Sequence, residues 1–244
     1  MPSMTNARRF LDAFAAVEDH LARRQTKRTR GDDWVEFTQL VEASDELTEP
    51  DRRRLREAAR LRNAIAHKPY RDGDAIADPR IDIVEKLERI QANLEKPPIA
   101  MEVLAADPPR VFVLTDTLID FAELVRAPHH FSQAPVRTET GYRLVTTNAV
   151  ARWYVDALEH KGGAVHDPEL AEVMGFAEDT DKVKILSRRA TAVQAIRLLT
   201  GGAGEAVPPA AIMFTLTGRQ DEGALGIATQ ADLGVLYRAL DRAS

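Results

Sequence analysis

The chain has 244 residues, 44% of them hydrophobic and 29% charged, a composition ordinary for a globular protein. It has no cysteine, which excludes disulfides, thiolate catalysis and Cys-ligated zinc. No apolar run approaches the roughly 20 residues that span a membrane, and no targeting pattern opens the chain, so a cytoplasmic location is expected. The formal charge of −5 is uneven: residues 1–97 balance 19 Lys+Arg against 19 Asp+Glu, and the rest holds 14 against 19.

Helix period runs through residues 5–96. Thr5-Asn6 can cap a helix in which Phe10, Phe14, Val17 and Leu21 recur at three- and four-residue spacing. It ends in the turn-prone stretch Lys27–Gly31. A second helix follows Asp32-Asp33, with Trp34, Phe37, Leu40 and Val41 on one face. Thr48-Glu49-Pro50 starts a third, proline being tolerated in a first turn; its apolar stripe is Leu55, Ala58, Ala59, Ile65 and Ala66. Asp78-Pro79 opens a fourth, with Ile83, Leu87, Ile90 and Leu94 inward. These features predict an all-α, four-helix bundle-like domain over 1–97.

Lys96-Pro97-Pro98 marks a boundary, because two prolines cannot continue a helix. Beyond it short β-branched runs alternate with short helices. Strands are predicted at 110–114, 133–138, 142–147, 183–186, 210–215 and 224–229, and helices at 118–126, 148–158, 190–199 and 230–240. The order is βαββα twice over, an internal repeat with a period of roughly 80 residues. The expected fold is therefore two domains, the second an α/β (α+β) tandem with repeats at 98–162 and 163–244.

Two motifs carry the chemistry. The first lies late in the third helix, at Arg62-Asn63-Ala64-Ile65-Ala66-His67. Arginine and histidine together can cleave RNA without a metal: the imidazole moves protons, and the guanidinium stabilises the extra charge of a phosphorane-like transition state. The segment resembles the HEPN superfamily, whose signature is Arg, four to six residues, then His, with a polar residue after the arginine. The resemblance covers about residues 5–96 and implies a metal-independent endoribonuclease acting as a homodimer. Geometry agrees with a dimer, since at about 100° per residue Arg62 points about 140° from His67, while Asn63 shares its face. Two copies across a two-fold axis can bring both groups to one phosphate. In this reading His67 is the general base or acid, Arg62 binds the scissile phosphate and Asn63 orients the histidine. Two alternatives stand beside it. Arg62 and His67 can serve the helix C-terminus alone. Tyr70, three residues after His67, resembles the tyrosine that a partner nucleotidyltransferase modifies in a related branch, where the spacing is two. The arginines at 52, 53, 54, 56, 60 and 62 can attract phosphate or form a solvated face neutralised by acidic neighbours.

The second motif is Gly226-Ile227-Ala228-Thr229-Gln230-Ala231-Asp232-Leu233, a strand running into a helix. The segment resembles the end of a CBS domain, and the resemblance implies that Thr229 and Asp232 hydrogen-bond a ribose while the apolar edge of the strand, at Ile227, flanks an adenine. The chemistry fits, because an Asp carboxylate can accept from both ribose hydroxyls and the Thr hydroxyl can reach phosphate. Ala171-Glu172-Val173-Met174 and Ile185-Leu186-Ser187 resemble that family's opening helix and first strand. The first repeat aligns as Met101-Glu102-Val103-Leu104, Gln133-Ala134-Pro135-Val136 and Leu144-Val145-Thr146-Thr147-Asn148-Ala149. The resemblance covers 99–244 and implies a CBS pair (a Bateman module) with an adenine nucleotide such as ATP, ADP or AMP as regulatory ligand and no required cofactor. Thr229 aligns with Thr146 but Asp232 with Ala149, so one competent site is expected, at Thr229 and Asp232, with a degenerate one near Thr146. Asp232 can alternatively serve only as a helix cap. The combined expectation is a nucleotide-gated ribonuclease of the stress or defence type. The alternative is a non-catalytic adenylate sensor whose helical domain dimerises or binds a partner.

Overall fold

A computed structural model describes residues 5–28, 36–66, 78–127, 131–160, 166–202, 204 and 207–242. Trp34, His67 and Tyr70 lie outside them. The described residues form two compact units. One holds the chain up to Pro98 together with Thr191–Ile196 and the residues from Leu236 onward; the other holds Ile99–Ala190 and Arg197–Val235.

The first unit is helical. Its helices α1 (Asn6–Arg28), α2 (Phe37–Ala43), α3 (Glu49–Ala66) and α4 (Ile81–Glu95) share one core. Phe10, Phe14, Val17 and Leu21 are at most 3% exposed, which is the expected stripe of α1. Thr48 caps α3 with Asp51: its hydroxyl accepts from the Asp51 amide at 3.3 Å and donates to the Asp51 carboxylate at 2.5 Å. A bidentate Arg9–Glu88 pair, at 2.7 and 2.9 Å, ties α1 to α4.

Two details of the sequence reading are corrected here. The helix expected from Asp78-Pro79 starts at Ile81, and Asp78 instead accepts the Ala7 amide of α1 at 2.8 Å. The carboxylate satisfies the start of a distant helix because those orphan N–H groups face it. In α4 the inward position expected of Ile83 belongs to Val84, which is fully buried, whereas Ile83 is 37% exposed.

The second unit contains two mixed three-stranded sheets. The first has β1 (Phe112–Val113) parallel to β2 (Gln133–Thr138), and β2 antiparallel to β3 (Gly141–Thr146). The second has β4 (Val183–Ser187) parallel to β5 (Ala211–Thr215), and β5 antiparallel to β6 (Gly226–Thr229). Helices α5 (Ala100–Leu104), α6 (Leu118–Arg126), α7 (Thr147–His160) and α8 (Leu170–Val173) belong to this unit, whereas α9 (Ala192–Leu199) and α10 (Leu233–Arg242), which a 3-10 turn over Gln230–Asp232 precedes, have Ala192–Ile196 and Leu236–Arg242 in the first unit. The first strand, expected over 110–114, pairs at only two residues. The repeated order parallel-then-antiparallel matches the sequence repeat.

The repeats exchange their opening helices. Helix α8 of the second repeat packs on the first sheet: Leu170 and Ala171 donate to Asp116 O and Leu114 O at 2.8 and 3.0 Å. Leu170, Val173 and Met174 share a core with Phe112, Phe121, Val136 and Trp153. Conversely α5 lies against β6. A Cβ at Gly226 would come within 3.0 Å of the Ala106 Cβ and 3.3 Å of the Met101 Cε, so glycine permits a close approach that a larger residue would crowd.

The β5–β6 loop is held by Glu222, whose carboxylate accepts from the Thr217 amide at 2.7 Å and the Thr217 hydroxyl at 2.6 Å. Its carbonyl accepts from Tyr142 at 2.8 Å and from Arg137 at 3.0 Å, with the Arg137 guanidinium 4.7 Å from the Tyr142 ring centroid. The hydrogen bonds from Thr217 bring the Glu222 carboxyl down from 4.5 to about 2. A depressed carboxylate stabilises the fold above its unfolded value and loses that contribution as pH falls through 4.5 toward 2. Glu222→Gln is therefore expected to lower the melting temperature at pH 6, with the gap from wild type closing as the buffer is taken to pH 3. A gap independent of pH would mean that the ionised carboxylate contributes nothing.

Candidate functional site

The β6–α10 junction brings three of the expected residues together. Strand β5 is buried along its whole length, and its neighbour β6 alternates, with Gly226 and Ala228 on a buried face and Ile227 and Thr229 half-buried on the opposite one. The register pairs Ala211 with Thr229 and Met213 with Ile227. Thr229 stays extended (φ −129°, ψ 178°) as the strand gives way to the 3-10 turn. Its amide donates to Asp232 Oδ2 at 2.7 Å, its hydroxyl donates to the same oxygen at 3.2 Å, and the hydroxyl accepts from the Ala231 amide at 3.3 Å. Asp232 thus uses one carboxylate oxygen to cap the helix. Oδ1 has no hydrogen-bond partner among the described residues. The site offers a hydroxyl, a carboxylate oxygen, the start of a helix and an apolar side chain, the groups that a sugar, a phosphate and a base require.

Capping alone explains much of this geometry. At the start of α6, Asp120 takes the Thr117 amide at 2.9 Å and hydroxyl at 3.1 Å, the same box three residues apart. Those bonds from Thr117, backbone first, hold the Asp120 carboxyl below its ordinary range. The feature distinguishing Thr229 and Asp232 is therefore their place at the end of the third strand of a repeat, beside Ile227.

Thr146 occupies the equivalent position of the first repeat, with Gln133↔Thr146 matching Ala211↔Thr229. It is 6% exposed. Its hydroxyl accepts from the Ala149 amide at 3.1 Å and donates to Asp181 Oδ2 at 3.4 Å. Asp181, in the loop before β4, also accepts the Glu178 amide at 2.9 Å, and Glu178 pairs with Arg152. A loop carboxylate from the second repeat has taken the place that Ala149 leaves without an acid. Sequence reasoning missed Asp181. Its only mark is the acidic run Glu178-Asp179-Thr180-Asp181, which reads as an ordinary turn.

On α3, Arg62 and Asn63 are adjacent in the last turn, with Arg62 Nη1 donating to Asn63 Oδ1 at 3.2 Å. The Arg62 guanidinium carbon lies 5.8 Å from the ring centroid of buried Phe14, while Asn63 is exposed. His67 is outside the described residues, so its approach to Arg62 is not defined. Half of the arginine stripe is neutralised by acidic neighbours: Arg52 by Glu49, Arg54 by Asp51, and Arg56 by Glu42 and Glu49. Arg53 and Arg60 are exposed and without a partner among the described residues. No cluster of His, Asp or Glu among the described residues can hold a metal ion, and no described helix is long and apolar enough to cross a membrane.

No family model and no curated protein matches the chain. Among solved structures it is similar to CBSX2 in complex with AMP, at 12% identity and a TM-score of 0.39 over 57% of this chain and 97% of that one. It is also similar to a CBS domain-containing protein from Kribbella flavida, at 14% identity and a TM-score of 0.38 over 57% of this chain and 96% of that one. A third is the CBS domain of a CBS domain-containing membrane protein from Sphaerobacter thermophilus, at 19% identity and a TM-score of 0.37 over 59% and 91%.

Proposed function

We propose that the second unit is a CBS pair that binds one adenine nucleotide at the β6–α10 junction and serves as the sensing half of a regulatory protein. The observation that carries this reading is the repeated sheet order with a threonine at the end of each third strand. Asp232 Oδ1 accepts from the ribose, the Thr229 hydroxyl and the start of α10 face the phosphate, and Ile227 flanks the base. Thr146 is committed to Asp181 and Ala149, so the first repeat offers no second site. Titration of the full chain with AMP, ADP and ATP by calorimetry tests this: saturable binding near one nucleotide per chain is expected. Two equivalent sites would contradict the assignment at Thr146, and no binding of any of the three would contradict the reading.

A second reading concerns the helical unit: metal-independent RNA cleavage by a homodimer, with Arg62, Asn63 and His67 as expected above and the nucleotide as its gate. It is favoured by the exposed Asn63 held beside Arg62 at the end of α3, one turn from Arg60, which is without a partner among the described residues. It is opposed by the stacking of Arg62 on Phe14, which gives that arginine a packing role. Labelled RNA incubated in EDTA with wild type and His67→Ala, with and without AMP, decides it. A 2′,3′-cyclic phosphate product from wild type alone supports the nuclease. A 3′-hydroxyl product, or equal cleavage by the variant, contradicts this second reading.

A further inference from the structure

Helices α3 and α4 line an open hollow of ≈ 520 Å³ in the first unit that neither reading uses. That volume is typical of small-molecule sites. Its apolar wall is formed by Ala58, Leu61, Ile83 and Leu87. Ile83 explains itself here: it is the residue the apolar period put inward, yet Val84 fills the core and Ile83 is left 37% exposed on the cavity wall.

Three cations, Arg53, Arg54 and Lys86, line the same cavity with one acid, Glu57. Arg54 donates to the part-buried Asp51 at 3.1 Å and keeps 42% of its own side chain exposed. Lys86 is only loosely satisfied, meeting Asp82 at 3.5 Å with both side chains more than 40% exposed. An exposed pair of that second kind is weak and exchanges readily for an anion held in a recess. Arg53 has no partner among the described residues.

A second hollow of ≈ 270 Å³ shares Arg54, Lys86 and Ile90 with the first and extends to Asn93 and Tyr237. At that end the Asn93 amide nitrogen donates to Leu240 O at 2.9 Å, while its carbonyl oxygen is buried with no hydrogen-bond partner among the described residues.

We propose that these joined hollows bind an amphipathic organic anion, a phosphate or carboxylate head on an alkyl or aryl body. The head sits between Arg54 and Lys86, which line both hollows, with Arg53 at its edge. The body lies on Ala58, Leu61, Ile83 and Leu87. A neutral apolar molecule leaves the cations unused, and an inorganic anion leaves the apolar wall wet.

The test uses the full-length protein and the fluorescent probe 8-anilinonaphthalene-1-sulfonate, whose sulfonate stands in for the head and whose rings stand in for the body. Saturable binding is expected, displaced by octyl phosphate and not by octanol at equal concentration. Lys86→Glu and Ile83→Glu are each expected to weaken the probe at least tenfold while keeping the wild-type melting curve. Should Ile83→Glu fail to fold, Arg53→Glu, at an exposed position, carries the same expectation. Binding unchanged within twofold in the folded variants, displacement by octanol as effective as by octyl phosphate, or no saturable binding at all would each overturn the proposal.

Discussion

Asp232→Ala is expected to weaken AMP binding about 100-fold, whereas Asp120→Ala leaves it unchanged. The pair of variants separates two roles that one carboxylate can play. Both residues close the same box on a threonine three positions earlier, with amide distances of 2.7 Å at Asp232 and 2.9 Å at Asp120. Both variants therefore lose a helix cap worth about 1 kcal/mol and destabilise the fold to a similar extent. Only Asp232 stands at the end of a third strand beside Ile227 with a second oxygen to offer a ribose. Two charge-assisted hydrogen bonds at about 1.5 kcal/mol each give the expected factor. Thr229→Val removes the hydroxyl while keeping the side-chain volume and is expected to act in the same direction. If Asp232→Ala binds AMP within threefold of wild type, the nucleotide is held elsewhere, and Asp232 is a cap like Asp120.

The fold was legible wherever the determining spacing is local. Phe10, Phe14, Val17 and Leu21 announce the buried face of α1, and they are among its most buried residues. The association of Thr229 with Asp232 was legible for the same reason, since three residues separate them and capping chemistry brings them together. What escaped the sequence is long-range. Asp78 reads as the start of α4, but the amide it satisfies belongs to Ala7, 71 positions away. Ile83 and Val84 are adjacent and both apolar, and periodicity alone leaves the phase of a helix uncertain by one residue. The bond between Thr146 and Asp181 spans 35 positions and gives no local mark. The exchange of opening helices is of the same kind. The apolar pattern of α8 says that one face must be buried, and says nothing of which sheet buries it.

That exchange yields the prediction with the largest expected effect on stability. Trp153, on α7 of the first repeat, is 2% exposed and lies in the core that α8 of the second repeat completes. Its indole donates to Glu172 Oε1 on α8 at 2.9 Å, and its ring meets His166 edge-on with centroids 6.2 Å apart. Trp153→Ala removes the largest fully buried side chain of the chain's described residues and is expected to cost about 3–5 kcal/mol, the usual range for a buried aromatic. Trp153→Phe keeps most of the packing and loses the hydrogen bond, so a cost of about 1–2 kcal/mol is expected. Because α8 belongs to the second repeat in sequence and to the first in space, the damage should not stop at the first sheet. Urea unfolding followed by circular dichroism should show one transition for the second unit, shifted to lower denaturant with its slope unchanged. AMP binding at the intact β6–α10 junction should then weaken in proportion to the unfolded fraction, and excess AMP should restore part of the lost stability. A loss below about 1 kcal/mol in Trp153→Ala, or a transition that splits in two, would mean that the repeats hold themselves together separately and that the exchanged helices are incidental to their folding.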